Sequence, residues 1–159
     1  MRDFGRILRA LAAESVEYVL IGGLAMVAQG SAHVTMDVDV CYDRKPENLE
    51  RVCLALATLH PRLRGAPEGL PFCLDARTLG AGLNFTLSTD AGDLDLLGEV
   101  AGVGAYQDFL HDAIEADLYG TIVLIASIDS LILCKQAADR PKDRNHILEL
   151  LELRKLARS

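Results

Sequence analysis

The sequence predicts an α/β fold of the α+β type, in which a small mixed β-sheet packs against flanking helices. Short runs of apolar and β-branched residues, of the length of strands, occur among longer segments whose apolar residues recur at helical spacing. Turns rich in glycine or proline separate these segments, and the sequence contains no internal repeat or low-complexity segment. With 159 residues, of which 50% are hydrophobic and 25% charged, the chain is expected to form a single domain spanning residues 1–159.

Each element is predicted from its local pattern. Apolar residues at helical spacing predict helices, β-branched and aromatic runs predict strands, and glycines or prolines end both. In the first part of the chain we predict a helix over residues 4–14, a strand over 16–21, a helix over 24–29, a strand over 35–41 and a helix over 46–60. The second part is predicted to contain a loop over 62–70, a short strand over 72–75, a hairpin of 83–88 with 93–97, a glycine-rich loop over 98–104, a short helix over 106–110, a hairpin of 113–118 with 121–125, a helix capped by Ser127 and a last helix from Lys142.

Charge and cysteine content limit the class of function. The formal net charge of −7 disfavours broad electrostatic capture of nucleic acid and favours small molecules or a protein acceptor. The four cysteines form no CxxC pair, and we expect reduced core residues. Charged residues interrupt the apolar N-terminus, and no apolar run reaches transmembrane length. We therefore expect a cytoplasmic protein with no membrane partner.

A glycine pair, Gly22 and Gly23, stands between the first predicted strand and a helix. This order presents free backbone N–H groups at the positive end of a helix, without a Cβ that would keep a phosphate away. The geometry suits a triphosphate; the alternative is that the glycine pair only forms a tight turn.

Two alternating aspartates, Asp37 and Asp39, lie on the second predicted strand. They project from one face of the strand, and Met36, Val38 and Val40 are left for the opposite, buried face. Two carboxylates so close repel each other unless a cation lies between them, and Mg²⁺ typically binds one or two carboxylates together with phosphate oxygens. The pattern therefore predicts a divalent metal site; the alternative is a solvated strand face.

Lys135 shares a helix face with the apolar residues Ile128, Leu131 and Ile132. Its side chain is therefore expected to point toward the interior or a cleft, where a cation needs a partner. The alternative is a lysine that extends to the surface and pairs with Asp139.

Other cations and histidines are expected to be structural. Arg62 and Arg64 fall in the predicted loop and are expected to solvate it, with contact to a substrate phosphate as the alternative. His33 is expected to be a loop residue near a helix end, and His146 lies beside a leucine-rich helical stripe.

The sequence resembles the nucleotidyltransferase superfamily of the DNA polymerase β type, especially small bacterial single-domain members related to toxin–antitoxin nucleotidyltransferases. The resemblance rests on residues in the N-terminal third, namely Gly22-Gly23, Ala25, Gly30, Thr35 and Asp37-Val38-Asp39. An arginine often stands in such families where this chain has His33. The stretch from Lys135 to Asp143 is similar to the family's lysine, arginine and lysine-aspartate pattern, in which the lysine is implicated in nucleotide binding.

The resemblance also implies a third carboxylate on a neighbouring strand. Asp93 and Asp95 form a second Asp-x-Asp pair there, and Asp95 fits better because a leucine pair follows it, as is usual for the family's third aspartate. Asp93 is closer to the turn and remains the alternative.

The function that this resemblance implies is a metal-dependent transfer of a nucleoside monophosphate from a nucleoside triphosphate (NTP) to a hydroxyl acceptor. The expected catalytic and metal-binding residues are Asp37, Asp39 and Asp95, with Mg²⁺ or Mn²⁺ as the metal. The expected nucleotide-binding residues are Gly22, Gly23, Lys135 and Asp143. The acceptor is a small molecule, a tRNA or a protein, and a cognate antitoxin is an implied partner. The alternative is a catalytically inactive domain that binds a nucleotide or a protein.

Overall fold

Helices and strands occupy most of the chain in the computed structural model, which describes residues 2–67 and 69–158. In chain order the elements are α1 (Phe4–Ala13), β1 (Tyr18–Ile21), α2 (Gly22–Ala28), β2 (Asp37–Tyr42), α3 (Pro46–Ala57), β3 (Arg62–Leu63), α4 (Ala76–Ala81), β4 (Asn84–Thr89), β5 (Gly92–Leu97), β6 (Glu99–Val100), β7 (Gly104–Ala105), α5 (Tyr106–Leu110), β8 (Ile114–Leu118), β9 (Thr121–Ile125), α6 (Ile128–Ala138) and α7 (Pro141–Arg158).

The described residues form one mixed sheet of seven strands, in the order β3-β4-β5-β2-β1-β9-β8. Strand β2 pairs antiparallel with β1 and parallel with β5, and β1 pairs parallel with β9. The two hairpins β4–β5 and β8–β9 are antiparallel. This confirms the predicted mixed sheet with flanking helices.

The central strands bury one face and leave the other for polar side chains. Val38 and Val40 of β2 and Leu94 and Leu96 of β5 are buried in the core. Because side chains alternate along a strand, the aspartates between them project from the opposite face. Burying each of these side chains contributes about 1.5–3 kcal/mol, which fixes the register of both strands.

Helix α1 covers part of the core by packing against α3 and β9. It begins at Asp3, whose carboxylate accepts a hydrogen bond from the backbone N–H of Arg6. Its inward side chains Ile7, Leu8 and Leu11 are fully buried. Among the described residues, no helix combines the length and the apolar character needed to span a bilayer.

Helices α6 and α7 pack against each other across a sharp reversal. Ser127 caps α6, as predicted, by accepting a hydrogen bond from the N–H of Ser130. The helix ends at Asp139, which has a left-handed backbone conformation with φ of 47°. Pro141 then opens α7, a position where a proline loses no hydrogen bond.

Several local predictions were wrong. Residues 62–63 form the short strand β3, which pairs with β4, although the whole of 62–70 was expected to be a loop. Residues 72–75 form no strand; Asp75 instead caps the unpredicted helix α4 by accepting the N–H of Thr78. The predicted glycine-rich loop contains the small ribbon β6–β7.

Two further expectations about burial also failed. Met36 precedes β2 and is 59% exposed, because the strand begins only at Asp37. All four cysteines are free thiols, but Cys73 is exposed and therefore is no core residue, whereas Cys41 is buried as expected.

Candidate active site

Three carboxylates converge on the polar face of the two central strands. Asp37 and Asp39 lie on β2, and Asp95 lies on β5 directly opposite Asp39 in the parallel register. One ligand oxygen from each of the three lies within 4.8 Å of the others. Asp93 is opposite Asp37 in the same register, but its carboxylate lies 3.3 Å from the Nε of Arg64. We call Asp37, Asp39 and Asp95 the carboxylate triad.

Burial and the charges of neighbouring carboxylates raise the pKa of two members of the triad, Asp37 and Asp39. Burial, then the charge of Asp37 and the hydrogen bond and charge of Asp95, raise the pKa of Asp39 to about 8, against the opposing charge of Lys135. Burial and the charge of Asp95 likewise raise the pKa of Asp37. Three converging carboxylate oxygens form a hard donor set, and a divalent cation such as Mg²⁺ or Mn²⁺ fits it in place of the bound protons.

The triad lies in the wall of a cavity of about 730 Å³. The same cavity is lined by Gly22, Gly23, Lys135, Arg140 and Lys142. Its volume is within the usual range for small-molecule sites, and its lining combines these cationic side chains with the carboxylates of the triad. This arrangement suits a ligand that carries several negative charges together with a cation.

The glycine pair allows the close approach of neighbouring side chains. Gly22 has φ of +68°, and a Cβ there would lie 2.8 Å from the Cγ of Asp39. A Cβ on Gly23 would lie 2.7 Å from the Oγ1 of Thr35 and 3.2 Å from the Cδ2 of His33. Both positions therefore require glycine for packing around the triad. Helix α2 begins at Gly22 itself, rather than after the pair as predicted.

Lys135 points into the site, and its partner is Asp143 rather than Asp139. The Lys135 ammonium lies 3.3 Å from the Oδ1 of Asp143, and its side chain is 14% exposed. The carboxylate of Asp143 is fully buried and accepts hydrogen bonds from Arg140 Nε at 2.7 Å, Nη2 at 3.1 Å and the backbone N–H at 3.0 Å. The hydrogen bonds from Arg140, with Lys135, hold the pKa of Asp143 well below its usual range. Asp143 therefore pairs with Lys135 and Arg140, two of the cations that line the cavity.

Arg64 was expected to solvate a loop, with contact to a substrate phosphate as the alternative, and the structure instead places its side chain against the triad. Its Nη2 donates to Asp95 Oδ1 at 2.7 Å and to the Leu87 carbonyl at 2.7 Å. Its Nε is buried and makes no hydrogen bond, although Asp93 lies 3.3 Å away. Arg64 follows the two-residue strand β3, which is too short to leave a periodic signal in the sequence. Arg64 and Asp95 are separated by 31 positions in sequence, and only the fold brings them together.

Two histidines line the cavity next to the glycine pair. The rings of His33 and His146 meet edge to face, with centroids 4.6 Å apart. Burial and then the charge of Lys135 lower the pKa of His146. The backbone N–H of His33 donates to the Oγ of Ser31, which fixes the loop that leads to β2. Both side chains were expected to be structural, and the sequence offered no sign that they pair.

Known proteins resemble this chain in structure and not in sequence. No protein-family model matches the sequence. No curated protein matches it either. The solution structure of the antibiotic-resistance factor ANT(2'')-Ia has a TM-score of 0.60 at 16% identity, over 98% of this chain and 82% of that one.

Two further solved structures show the same likeness. The crystal structure of ANT(2'')-Ia in complex with adenylyl-2''-tobramycin has a TM-score of 0.58 at 15% identity, over 92% of this chain and 84% of that one. A Thermotoga maritima protein assigned as a nucleotidyltransferase has a TM-score of 0.53 at 16% identity, over 96% of this chain and 88% of that one. The likeness extends over nearly the whole chain in each case. The chain therefore has the nucleotidyltransferase superfamily fold.

Proposed function

We propose that the protein transfers a nucleoside monophosphate from an NTP to a hydroxyl group, with Asp37, Asp39 and Asp95 as the catalytic carboxylates. The observation that supports this is the triad, whose ligand oxygens lie within 4.8 Å of one another in the wall of a cavity of about 730 Å³. One of the similar structures contains adenylyl-2''-tobramycin, a compound in which a nucleoside monophosphate is joined to an acceptor.

The triad would hold Mg²⁺ or Mn²⁺, which supplies charge stabilisation at the phosphates and a more acidic acceptor hydroxyl. In the transfer, the acceptor oxygen forms a bond to the α-phosphorus while the bond to the bridging oxygen breaks, and pyrophosphate leaves. The proton of the acceptor hydroxyl passes to a carboxylate or to water. The fixed carboxylates are arranged before substrate binds, so no reorganisation is needed during the reaction.

Other groups that line the cavity would bind the triphosphate. Lys135 offers an ammonium to the phosphate oxygens, and we assign Gly22 and Gly23, which line the same cavity, to nucleotide binding as well. Asp143 is fully buried, so we assign it a positioning role toward Lys135 and Arg140 rather than direct contact with the nucleotide.

The acceptor and the biological setting are further parts of the proposal. A small molecule, a tRNA or a protein would each supply a hydroxyl, and a net charge of −7 favours the first and the last. A cognate antitoxin partner rests on the sequence resemblance alone. A single domain over residues 1–159 rests on the length and composition of the chain.

The first test is calorimetric titration of each NTP, with and without Mg²⁺ or Mn²⁺, into the wild type and Asp37→Ala. We expect metal-dependent binding in the wild type and its loss in the variant. Asp93→Asn is the matched control, because Asp93 lies opposite Asp37 but its side chain is outside the triad and 43% exposed. Equal NTP binding by the wild type and Asp37→Ala would contradict the assignment of the triad.

The second test follows label from NTP into acceptors of a cell extract. Transfer should disappear in Asp39→Asn while the circular dichroism spectrum is retained, and full transfer by this variant would refute the mechanism. One observation favours the alternative of an inactive nucleotide-binding domain, namely the Arg64 guanidinium on Asp95. NTP binding without transfer to any acceptor would support that alternative.

A further inference from the structure

We propose that Arg64 is an internal counter-ion of Asp95 that competes with divalent cations for this carboxylate. The inference deepens the proposed function, on which it rests, by adding a means by which the chain itself controls cation binding at the triad. It concerns a residue outside the predicted site.

The contact between Arg64 and Asp95 is fixed by hydrogen bonds of both the side chain and the backbone of Arg64. The guanidinium Nη2 lies 2.7 Å from Asp95 Oδ1, a length typical of a charge-assisted hydrogen bond. The same nitrogen also donates to the Leu87 carbonyl at 2.7 Å. The backbone N–H of Arg64 donates to the Thr86 carbonyl at 3.0 Å, so the residue continues the pairing of β3 with β4. The arginine is therefore directed at the triad by the sheet.

Partial burial strengthens the electrostatic attraction between Arg64 and Asp95. The side chain of Asp95 is 18% exposed and that of Arg64 is 30% exposed, so solvent screens the pair only in part. A neighbouring pair two residues earlier in the chain differs: Arg62, on β3, meets Asp90 at 3.3 Å, with side chains 57% and 37% exposed, away from the cavity. Residues 62–64 thus offer one arginine at the triad, Arg64, and one matched arginine outside it, Arg62.

A cation bound to Asp95 must share the carboxylate with Arg64. Divalent cations bind carboxylate oxygens at about 2.0–2.6 Å, so a cation on the oxygen that Arg64 contacts would lie within roughly 5 Å of the guanidinium nitrogen. Two positive charges at this distance repel each other. Cation binding therefore either displaces Arg64 or is weakened by it. Gly65, with φ of +80° and no atom within 4 Å of a Cβ position, leaves open space beside the arginine.

The experiment measures Mn²⁺ binding without nucleotide, from the electron paramagnetic resonance signal of free Mn²⁺. We expect Arg64→Gln to bind Mn²⁺ about tenfold more tightly than the wild type. Arg62→Gln should bind as the wild type does, and Arg64→Lys, which keeps the positive charge, should remain close to it. Mn²⁺ affinity in Arg64→Gln that equals or falls below that of the wild type would overturn the proposal, as would a lack of Mn²⁺ binding in both proteins.

A second measurement on the wild type does not depend on the folding of a variant. Nuclear magnetic resonance of the arginine side chains during a Mg²⁺ titration should show the Arg64 signal change together with those of the triad carboxylates. An Arg64 signal that stays constant while the carboxylate signals shift would also overturn the proposal.

The two proposals fail in different ways. If Asp39→Asn abolishes Mn²⁺ binding but Arg64→Gln leaves it unchanged, the counter-ion proposal fails and the triad remains the cation site. If Arg64→Gln tightens Mn²⁺ binding but the protein neither binds an NTP nor transfers label, the counter-ion proposal stands and the proposed function fails.

Discussion

Replacing Asp143 with asparagine should lower the free energy of unfolding by about 3 kcal/mol. The Asp143 side chain is fully buried and lies 3.3 Å from the ammonium of Lys135, whose own side chain is only 14% exposed. Asparagine keeps the size of the side chain but removes the charge, which leaves Lys135 nearly buried without an anion. The expected loss is at the low end for a broken buried pair, because Arg140 is 54% exposed and can turn to water.

Urea denaturation followed by circular dichroism measures this loss. With a slope of about 2 kcal/mol per molar urea, the midpoint should fall by about 1.5 M. The control is Asp139→Asn, since Asp139 is 72% exposed and lies 3.6 Å from Arg144, and its midpoint should hardly move. Equal small shifts in both variants would refute the reasoning.

The pH dependence gives the same prediction a second test. Arg140 and Lys135 hold the pKa of Asp143 below its usual range, so the folded protein releases this proton more readily than the unfolded chain. The contribution is therefore fully present above the usual carboxyl pKa of about 4 and is lost as the pH falls below it. The difference between the wild type and Asp143→Asn should shrink below about pH 4.

Two further predictions concern the triad and the glycine pair. Because burial raises the pKa of Asp39 to about 8, the metal-free fold holds a proton there that the unfolded chain has lost, and stability should fall as the pH rises from about 4 to 8. Asp39→Asn should therefore melt at a higher temperature than the wild type at pH 8 in a chelator, and the same melting temperature for both would contradict this. Gly22→Ala should cost at least about 2 kcal/mol in urea denaturation, because φ is +68° and the new Cβ would lie 2.8 Å from the Cγ of Asp39. Gly65→Ala, with φ of +80° and open space, should show only the backbone cost of about 1 kcal/mol, and equal losses would exclude a steric role for Asp39.

Much of the site could be predicted because it depends on alternation within single strands. The spacing of Asp37 and Asp39 places both side chains on one strand face wherever the strand lies in the sheet. The partner of Lys135 could not be predicted in this way. Helix α6 ends at Asp139 in a left-handed conformation, and the reversal that follows brings Asp143 beneath the lysine.

The fold was predictable where elements were long and regular. Helix α1 and the hairpin β4–β5 lie where their patterns indicate. The prediction of a strand over 72–75 was wrong because Asp75 caps a helix. An aspartate also fits the end of a short strand, and the local sequence does not distinguish the two. The position of Arg64 could not be predicted, because it directly follows a strand of two residues, which is too short to show a period.

The position of each strand in the sheet has a consequence for the motions of the site. Strands β2 and β5 each have a hydrogen-bonded neighbour on both sides, whereas β3 is at the edge. Local fraying of a sheet begins at its edges. Amide hydrogens of β3 should therefore exchange with solvent through local openings, whereas those of β2 and β5 should exchange only on global unfolding. The carboxylates would then keep their mutual geometry during fluctuations that release Arg64, because Arg64 directly follows β3 and the lifetime of its contact with Asp95 depends on an edge strand of the sheet.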